Sequence, residues 1–469
     1  MLQRALQALK ARHPSLALPG KEPMHPAALS PKELLPAFNP LVSDLEPAQV
    51  SVHKLPNGIP VVIESSSSLP LCSLLVSSSF GTRHLASADS ALLFALQTLA
   101  FRYGSPESES RILSGLEVLG GSTHFTYTPD STNYHLSCFK HHFPQALQAL
   151  FSCLTAERKE KDELVARNRM GEYWKVRVDV GTIAERVQEI WLRESFGQGL
   201  GREMCGTMGD VAGVTNDRVN ELVKRVWSSE NITLGFSGPA DPDKVMDLLA
   251  ASFSKLPSSP QPPQATPTFQ FSHYLEDLDC SRAHAILSYP SVSVAHPLFP
   301  TFQLLVEAIG RDYQPQSRLS RDLKKTIRGD LREIEKFRAI CGHYRDVGVI
   351  GVEFTAESSG KWTDTLQIAR KTLTFIRNID SEALETLKTS LKLRISQQFT
   401  NPEPRLRHFV RSQALLGTTR SCAEEQRLVD AVDVGTIRQV CEEILRGKGA
   451  LVMLGPAVSQ LARPGSSFS

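Results

Sequence analysis

The chain has 469 residues, which exceeds the size that one hydrophobic core usually organises, so at least two domains are expected. Hydrophobic residues make up 41% and charged residues 22% of the chain, which is typical of a soluble globular protein. The net charge is only +2, from 52 basic and 50 acidic residues, and no Lys/Arg-rich run is interleaved with aromatic residues, so nothing indicates a nucleic-acid partner.

Two further classes of protein are not indicated by the sequence. No run of eighteen apolar residues occurs, so no transmembrane helix is predicted. The eight cysteines are scattered and form no C-x-x-C pair, which favours buried free thiols over a disulfide framework.

The first residues have the pattern of a mitochondrial targeting helix. Leu2, Leu6 and Leu9 fall on one helical face, basic residues lie between them, and the first acidic residue is Glu22. An amphipathic, basic start is typical of a transit peptide, and a surface helix that docks on a partner is the alternative. We assign residues 1–45 to an N-terminal extension with this helix.

The first half then predicts strands followed by helices. Asn57-Gly58 between two apolar runs predicts a β-hairpin, because both residues tolerate positive φ. The predicted elements are a hairpin at 50–55 and 59–64, a strand at 71–77, a helix at 90–103, a helix near Ser110, strands within 122–139, and two longer helices between 143 and 193.

The second half repeats this pattern. Ser110-Arg111 and Ser317-Arg318 each open a helical segment that leads into alternating, strand-like residues. The segments that end at Pro239 and Pro456 each read as helix, turn, apolar strand and Gly-Pro stop. Five prolines within 257–267 predict an extended linker between the copies.

These features predict an α+β fold with an internal duplication. Two homologous lobes are expected, each a mostly antiparallel sheet packed with helices, and joined by the Pro-rich linker. The predicted boundaries are 46–256 for the N-terminal lobe, 257–272 for the linker and 273–469 for the C-terminal lobe.

Over most of residues 48–456 the chain resembles the pitrilysin-like, or inverzincin, family of metallopeptidases. The order of the similar motifs, together with the duplication, is more specific than any one of them. They are L-P-N-G-x-x-V at 55–61, Leu99-Ala100-Phe101, Leu119-Gly120-Gly121 with Thr126-Tyr127-Thr128, Ala283-His284-Ala285, and Tyr344-Arg345-Asp346-Val347-Gly348.

Active members of that family carry H-x-x-E-H on a helix, where two histidines hold zinc and the glutamate is the general base. The matching positions here are Phe94, Gln97 and Thr98, and Asn168 stands where a later helix would supply a third ligand. Phenylalanine has no lone pair, and an amide is no general base near neutral pH. The zinc site is therefore expected to be lost, leaving 91–101 as a plain core helix.

No replacement site is predicted either. His141 and His142 are adjacent and point to different faces, while His124 and His135 lie in strands without a further ligand at metal-binding spacing. We therefore assign no catalytic, metal or cofactor-binding residue and expect no cofactor. Tyr344 and Arg345 resemble second-lobe residues that orient substrate in active members.

The resemblance implies a non-catalytic mitochondrial protein. One such role is a core scaffold subunit of respiratory complex III, ubiquinol–cytochrome c reductase, peripheral on the matrix side of the inner membrane. Its expected partners are a homologous two-lobed core subunit, as a heterodimer, and other complex III subunits including cytochromes. The alternative is the non-catalytic, substrate-binding subunit of the mitochondrial processing peptidase.

The second half favours the scaffold over the processing subunit. The processing subunit carries a glycine-rich, mobile loop, whereas residues 310–322 read GRDYQPQSRLSRD with one glycine. A presequence is basic and needs carboxylates, yet Gln97 and Asn168 are neutral. An active hydrolase with an unrecognised site, or a free-standing peptide-binding chamber, remains a further alternative.

Overall fold

The structure is a computed structural model that describes residues 49–65, 70–100, 115–118, 120–158, 160–180, 183–259, 266–313, 317–357 and 366–462. The predicted extension 1–45, the helix near Ser110 and part of the predicted linker lie outside these residues.

The first half of the described chain forms the elements of one sheet and its helices. In order these are β1 (Gln49–Lys54), β2 (Pro60–Ser65), β3 (Leu71–Ser78), α1 (Leu92–Thr98), β4 (Ser122–Tyr127), β5 (Thr132–Phe139), α2 (Phe143–Thr155), α3 (Glu160–Val180), α4 (Ile183–Phe196), α5 (Met208–Ala212), α6 (Asn216–Val226), β6 (Ile232–Gly238) and α7 (Pro242–Phe253).

The second half forms a second sheet and its helices. In order these are β7 (His273–Asp277), β8 (Arg282–Ser291), α8 (Phe299–Ile309), α9 (Arg318–Asp330), β9 (Ile334–His343), β10 (Gly348–Glu357), α10 (Ile368–Arg377), α11 (Ser381–Thr400), α12 (Pro402–Leu416), α13 (Cys422–Asp430), α14 (Val434–Arg446) and β11 (Ala450–Gly455).

Local signals placed several of these elements correctly. The hairpin β1–β2 turns at Gly58, whose φ of +86° is accessible to glycine, and whose N–H donates to Leu55 O over 2.8 Å.

The prediction of two helices between 143 and 193 is wrong, because the structure has three there. Buried Arg158 donates to the carbonyls of Cys153 and Ala156, and so ends α2 early.

The two sheets have the same topology. The first has the order β1-β2-β6-β3-β5-β4 and the second β7-β11-β8-β10-β9. Each sheet has one parallel pair, β2–β6 in the first and β7–β11 in the second, and all its other pairs are antiparallel. The second sheet thus repeats the first without β1, and the predicted α+β fold with two homologous lobes is confirmed.

The halves exchange helices. α4 belongs to the first half by sequence but packs on β8 and β11 of the second sheet, while its counterpart α12 packs on β2, β3 and β6 of the first. Val187, Ile190 and Trp191 of α4 share an apolar cluster with Ile286 and Val452. Each half therefore supplies a helix that buries one face of the other half's sheet.

Each exchanged helix also binds a buried carboxylate of the sheet that it covers. Glu64 on β2 is fully buried and forms an ion pair with Arg405 of α12. Glu353 on β10, 3% exposed, accepts hydrogen bonds from Gln188 of α4 at 3.2 and 3.3 Å. A buried carboxylate without such a partner would carry a large desolvation cost.

Gly235 in β6 lets α12 approach the first sheet. A Cβ at this position would lie 2.2 Å from Val410 Cγ2 and 3.0 Å from Leu406 Cδ1, both on α12. The strand register places Gly235 beside Leu75, where the second sheet has Val452 beside Ile286. The glycine is therefore a requirement of α12 docking and not of the shared topology.

We expect Gly235→Ala to lower the free energy of unfolding by about 1–3 kcal/mol, because the added methyl group overpacks the contact with α12. Gly171→Ala is the matched control, since a Cβ there meets nothing within 4 Å and alanine favours the helix by about 0.5–1 kcal/mol. Denaturant unfolding of both variants measures the difference, and equal stability of the two would contradict the assigned role of Gly235.

Candidate functional site

The helix that resembles the family's zinc helix is α1. It packs against α3, α6 and β4, and five of its seven residues are buried. An amphipathic helix with this apolar face stabilises the fold through burial alone. The core-helix interpretation of this segment agrees with its surroundings.

The positions of the lost motif face different environments. Phe94 is 5% exposed, and its ring lies edge-on to Tyr173 of α3 with centroids 4.8 Å apart. Thr98 donates its hydroxyl to Ala95 O over 2.8 Å, within its own helix. Gln97 is exposed to solvent. An aromatic contact therefore occupies the place of the first metal ligand.

The helix expected to supply a third ligand brings a cation instead. Asn168 is exposed, while Nη1 of the next residue, Arg169, donates to Thr98 O over 3.1 Å. A guanidinium at the C-terminal end of a helix is favourable, whereas it would repel a zinc ion placed there. The arrangement supports helix packing and not metal binding.

The other histidines do not assemble a site in the part of the chain that the structure describes. His124 and His135 are directly opposite each other on β4 and β5, and Nδ1 of buried His135 lies 3.9 Å from Glu403. Sequence reasoning missed the proximity of Glu403, which comes from α12. Among the described residues, no group of three or more His, Cys, Asp or Glu side chains is arranged to hold a metal ion.

The counterpart of the α1–α3 contact in the second half is α8 against α11. There Glu307, 2% exposed, accepts from Ser390 at 2.6 Å and pairs with Arg394 at 2.9 Å. A buried ion pair with a further donor is a satisfied structural contact. No sequence motif marked this pair, because its members lie 87 residues apart.

The second-lobe residues that resemble substrate-orienting residues serve the junction between the sheets. Tyr344 packs edge-on against Phe196 with centroids 6.3 Å apart, and burial raises the pKa of its phenol. The side chain of Arg345 is exposed, and its backbone N–H donates to Asp130 Oδ2 over 3.1 Å.

A buried cation holds the same junction. Arg83 follows β3, and its side chain is 4% exposed; it pairs with Asp130 at 2.7 Å and with Asp346 at 2.7 Å. The three residues come from the segment after β3, the β4–β5 turn and the β9–β10 turn. A bidentate guanidinium–carboxylate contact fixes the relative orientation of these turns. Sequence reasoning did not find it.

We expect Phe94→Ala to lower the free energy of unfolding by about 3–5 kcal/mol, because it opens a cavity between α1 and α3. Gln97→Ala, three residues along the same helix but exposed, should change stability by no more than about 0.5 kcal/mol. Denaturant unfolding compares the two. A small effect of Phe94→Ala would show that this position is not part of the core.

His84 should make stability depend on pH. Burial, followed by the charge of Arg83, lowers the pKa of His84 from 6.5 to about 4, and its Nδ1 accepts from Gly81 N–H at 3.0 Å. Between pH 6.5 and 4 the unfolded chain binds a proton that the folded chain does not, so the free energy of unfolding falls as pH falls through this window.

We expect His84→Asn to remove up to about 3 kcal/mol of that pH dependence, since each pKa unit is worth about 1.4 kcal/mol. Unfolding measured at several pH values checks this, with His141→Asn at an exposed position as the control. Parallel pH profiles of wild type and His84→Asn would refute the contribution.

Comparison with known families gives two matches along the chain. Residues 61–203 match the model described as insulinase (peptidase family M16), and residues 213–391 match the one described as peptidase M16 inactive domain. Together they include strands of both sheets, from β2 to β10.

Three relatives that match most of the chain are mitochondrial proteins. The chain is 23% identical to ubiquinol-cytochrome-c reductase complex core protein I of Euglena gracilis, covering 74% of this chain and 75% of that one. It is 22% identical to mitochondrial-processing peptidase subunit beta of Lentinula edodes, with coverage of 85% and 88%. For subunit alpha of Solanum tuberosum the identity is 20%, with coverage of 93% and 86%.

Two solved structures share the fold. A protease from Helicobacter pylori superposes with a TM-score of 0.77 at 15% identity, over 87% of this chain and all of that one. A chain of complex III2 from Candida albicans superposes with a TM-score of 0.71 at 14% identity, over 87% and 96%. From the two family matches and the duplicated fold, the chain belongs to peptidase family M16.

Proposed function

We propose that the chain is a non-catalytic core subunit of respiratory complex III, ubiquinol–cytochrome c reductase, which serves as a scaffold on the matrix side of the mitochondrial inner membrane. The observation that carries the proposal is the packing of α1. Phe94, at the position that matches the first metal ligand of active members, packs against Tyr173, and Arg169 donates to Thr98 O at the end of the same helix. A chain of this family without that site retains its lobes as binding surfaces.

The chemistry at α1 supports a non-catalytic role. The side chains at the motif positions are an aromatic ring, an exposed amide and a hydroxyl bonded within its helix, for Phe94, Gln97 and Thr98 respectively. None of them is a general base near neutral pH, and none is a strong zinc ligand. We propose no catalytic, metal or cofactor-binding residue in this chain.

The contacts of residues 310–313 favour a scaffold over a peptide-binding subunit. Tyr313 donates its hydroxyl to buried Glu353 at 3.0 Å, and Nζ of Lys324 donates to the carbonyls of Asp312 and Tyr313 at 2.6 and 3.2 Å. Gly310 is held with φ +95° beside Ser320. A segment with these bonds is fixed to the second sheet, in contrast to a loop that must move to admit substrate.

The relatives support the setting but divide between two roles. A mitochondrial core protein I of the reductase complex is similar over three quarters of each chain. The second candidate function is the non-catalytic subunit of the mitochondrial processing peptidase. It is favoured by the similarity to processing-peptidase subunits alpha and beta, which extends to 93% of this chain.

The partners follow from this proposal. We propose a heterodimer with a second, homologous two-lobed chain and association with further complex III subunits, including cytochromes, which hold the haems. The lobes at 46–256 and 273–469, joined at 257–272, would be the units that face these partners. None of the described helices is long and apolar enough to cross a membrane.

The experiment is purification of the native, tagged chain in mild detergent, followed by visible spectroscopy, mass spectrometry and metal analysis. We expect haem b and haem c absorption, a set of membrane proteins and one homologous two-lobed partner. A haem-free pair with one H-x-x-E-H homologue would replace the proposal by the processing-peptidase role. Peptide cleavage by the isolated chain, with stoichiometric zinc, would overturn both.

A further inference from the structure

Positive charge is concentrated on two helices that pack together, α9 and α10. The whole chain has nearly equal numbers of basic and acidic residues, 52 against 50. By contrast, α10 (IARKTLTFIR) contains three basic residues and no acidic one, and α9 (RLSRDLKKTIRGD) contains five basic residues and two acidic ones. This face of the second lobe therefore differs from the mixed surface of the chain.

The basic residues of α9 form a stripe. Arg318, Arg321, Lys325 and Arg328 are exposed and recur at intervals of three and four residues. At 100° per residue these four lie within about 80° of the helix circumference and extend over about 15 Å. We call these four residues the basic stripe. Like charges at these intervals repel one another, so the four residues do not stabilise α9 by contact with each other.

The acidic residues nearby leave most of the basic stripe unpaired. Asp322 contacts Arg318 at 3.8 Å on a side chain that is 84% exposed, and Asp330 at the end of α9 pairs with Lys371 of α10 at 2.8 Å. Among the described residues, Arg321, Lys325 and Arg328 form no salt bridge. Three adjacent cations therefore face solvent without an internal partner.

The field of the basic stripe is visible in a buried neighbour. Lys324 lies beneath it, 3% exposed, with Nζ bonded to two backbone carbonyls. Burial, and then the charge of Arg328, lowers the pKa of Lys324 to about 8. The helix thus keeps its positive charges close together although doing so opposes protonation of one of them.

The chemistry of the two helices selects among possible anionic partners. Of the apolar residues of α9, Leu323 and Ile327 are buried in the core and Leu319 is partly buried against it, and no large apolar side chain on α9 or α10 is among the exposed ones. An amphipathic helix that inserts into a lipid surface presents exposed apolar residues, which these helices do not offer. Neither α9 nor α10 carries an exposed aromatic ring for stacking with bases.

We propose that the basic stripe is a docking surface for an acidic helix or segment of a partner protein, with Asp and Glu side chains at matching intervals of three and four residues. This inference rests on the proposed function, because it assumes that the chain works inside an assembly. A contact about 15 Å long buries too little area to hold a complex by itself. Its role is to orient the partner and raise the rate of association.

The test uses the intact assembly and the isolated full-length chain. Lys325 should become protected from acetylation in the assembly, and a zero-length carbodiimide should join its amine to a carboxylate of another subunit. Lys224 and Lys244 are exposed on other elements and serve as internal controls for reagent access. If Lys325 is acetylated equally in the assembly and in the isolated chain, the proposal is overturned.

Two charge-reversal variants test whether the basic stripe is needed for association with partners. The variant Arg321→Glu/Lys325→Glu/Arg328→Glu should reduce co-purification of partners at low salt about tenfold or more, and raised salt should weaken the wild-type association likewise. The control Lys224→Glu/Lys244→Glu/Lys255→Glu changes net charge equally on exposed residues elsewhere. If both variants lose co-purifying partners equally, the effect comes from net charge and the proposal is wrong.

Binding assays with three ligands distinguish an acidic protein partner from a lipid surface and from a nucleic acid. Vesicles of phosphatidylcholine with added cardiolipin, and a short DNA duplex, are compared with a polyglutamate peptide for binding to the isolated chain. If the chain binds the vesicles or the duplex but not polyglutamate, and the basic-stripe variant loses that binding, the ligand of the basic stripe is a lipid or a nucleic acid. The proposal of an acidic protein partner would then be wrong. A chain that purifies alone would contradict the proposed function, whereas an assembly in which Lys325 stays reactive contradicts only this inference.

Discussion

The exchange of α4 and α12 between the sheets is the constraint on which the rest of the structure depends. Each helix lies within its own half in sequence but covers a face of the other half's sheet. The two lobes therefore fold as mutually dependent layers, because an uncovered sheet face would expose its apolar residues. Arg83 and Tyr344 act at the same junction, since Arg83 pairs with Asp346 of the β9–β10 turn and Tyr344 packs against Phe196 at the end of α4.

This dependence explains why α1 persists although the zinc motif is lost. The helix fills the space between α3, α6 and β4, so deleting it would open the first core. A histidine at position 94 without a metal would be a buried polar ring with an unsatisfied hydrogen-bonding group, at a cost of about 1–3 kcal/mol. Phe94 removes that cost and contacts Tyr173 instead. Position 94 thus contributes to the packing of the first core.

The sequence predicted those features that depend on neighbouring residues. The hairpin at Gly58 and the repeated helix–strand ends at Pro239 and Pro456 follow from turn chemistry and local periodicity. It did not predict which sheet each helix covers, because an amphipathic pattern identifies the buried face of a helix but not the sheet against which that face packs. Likewise Arg83 and Asp346 lie 263 residues apart, and nothing in either segment indicates the other. The boundaries of the lobes and their partners stay predictions.

The two halves share a topology but are no longer interchangeable. The register places His135 of the first sheet and Glu353 of the second at corresponding positions, on β5 and β10, each beneath an exchanged helix. The first faces Glu403 and the second accepts from Gln188, so the two contacts differ in charge. A helix that covered the first sheet without a cation at the place of Arg405 would leave Glu64 buried and unpaired, at a cost of about 3–5 kcal/mol. Buried polar pairs of this kind favour one pairing of helix and sheet over the alternatives, which apolar packing alone distinguishes less well.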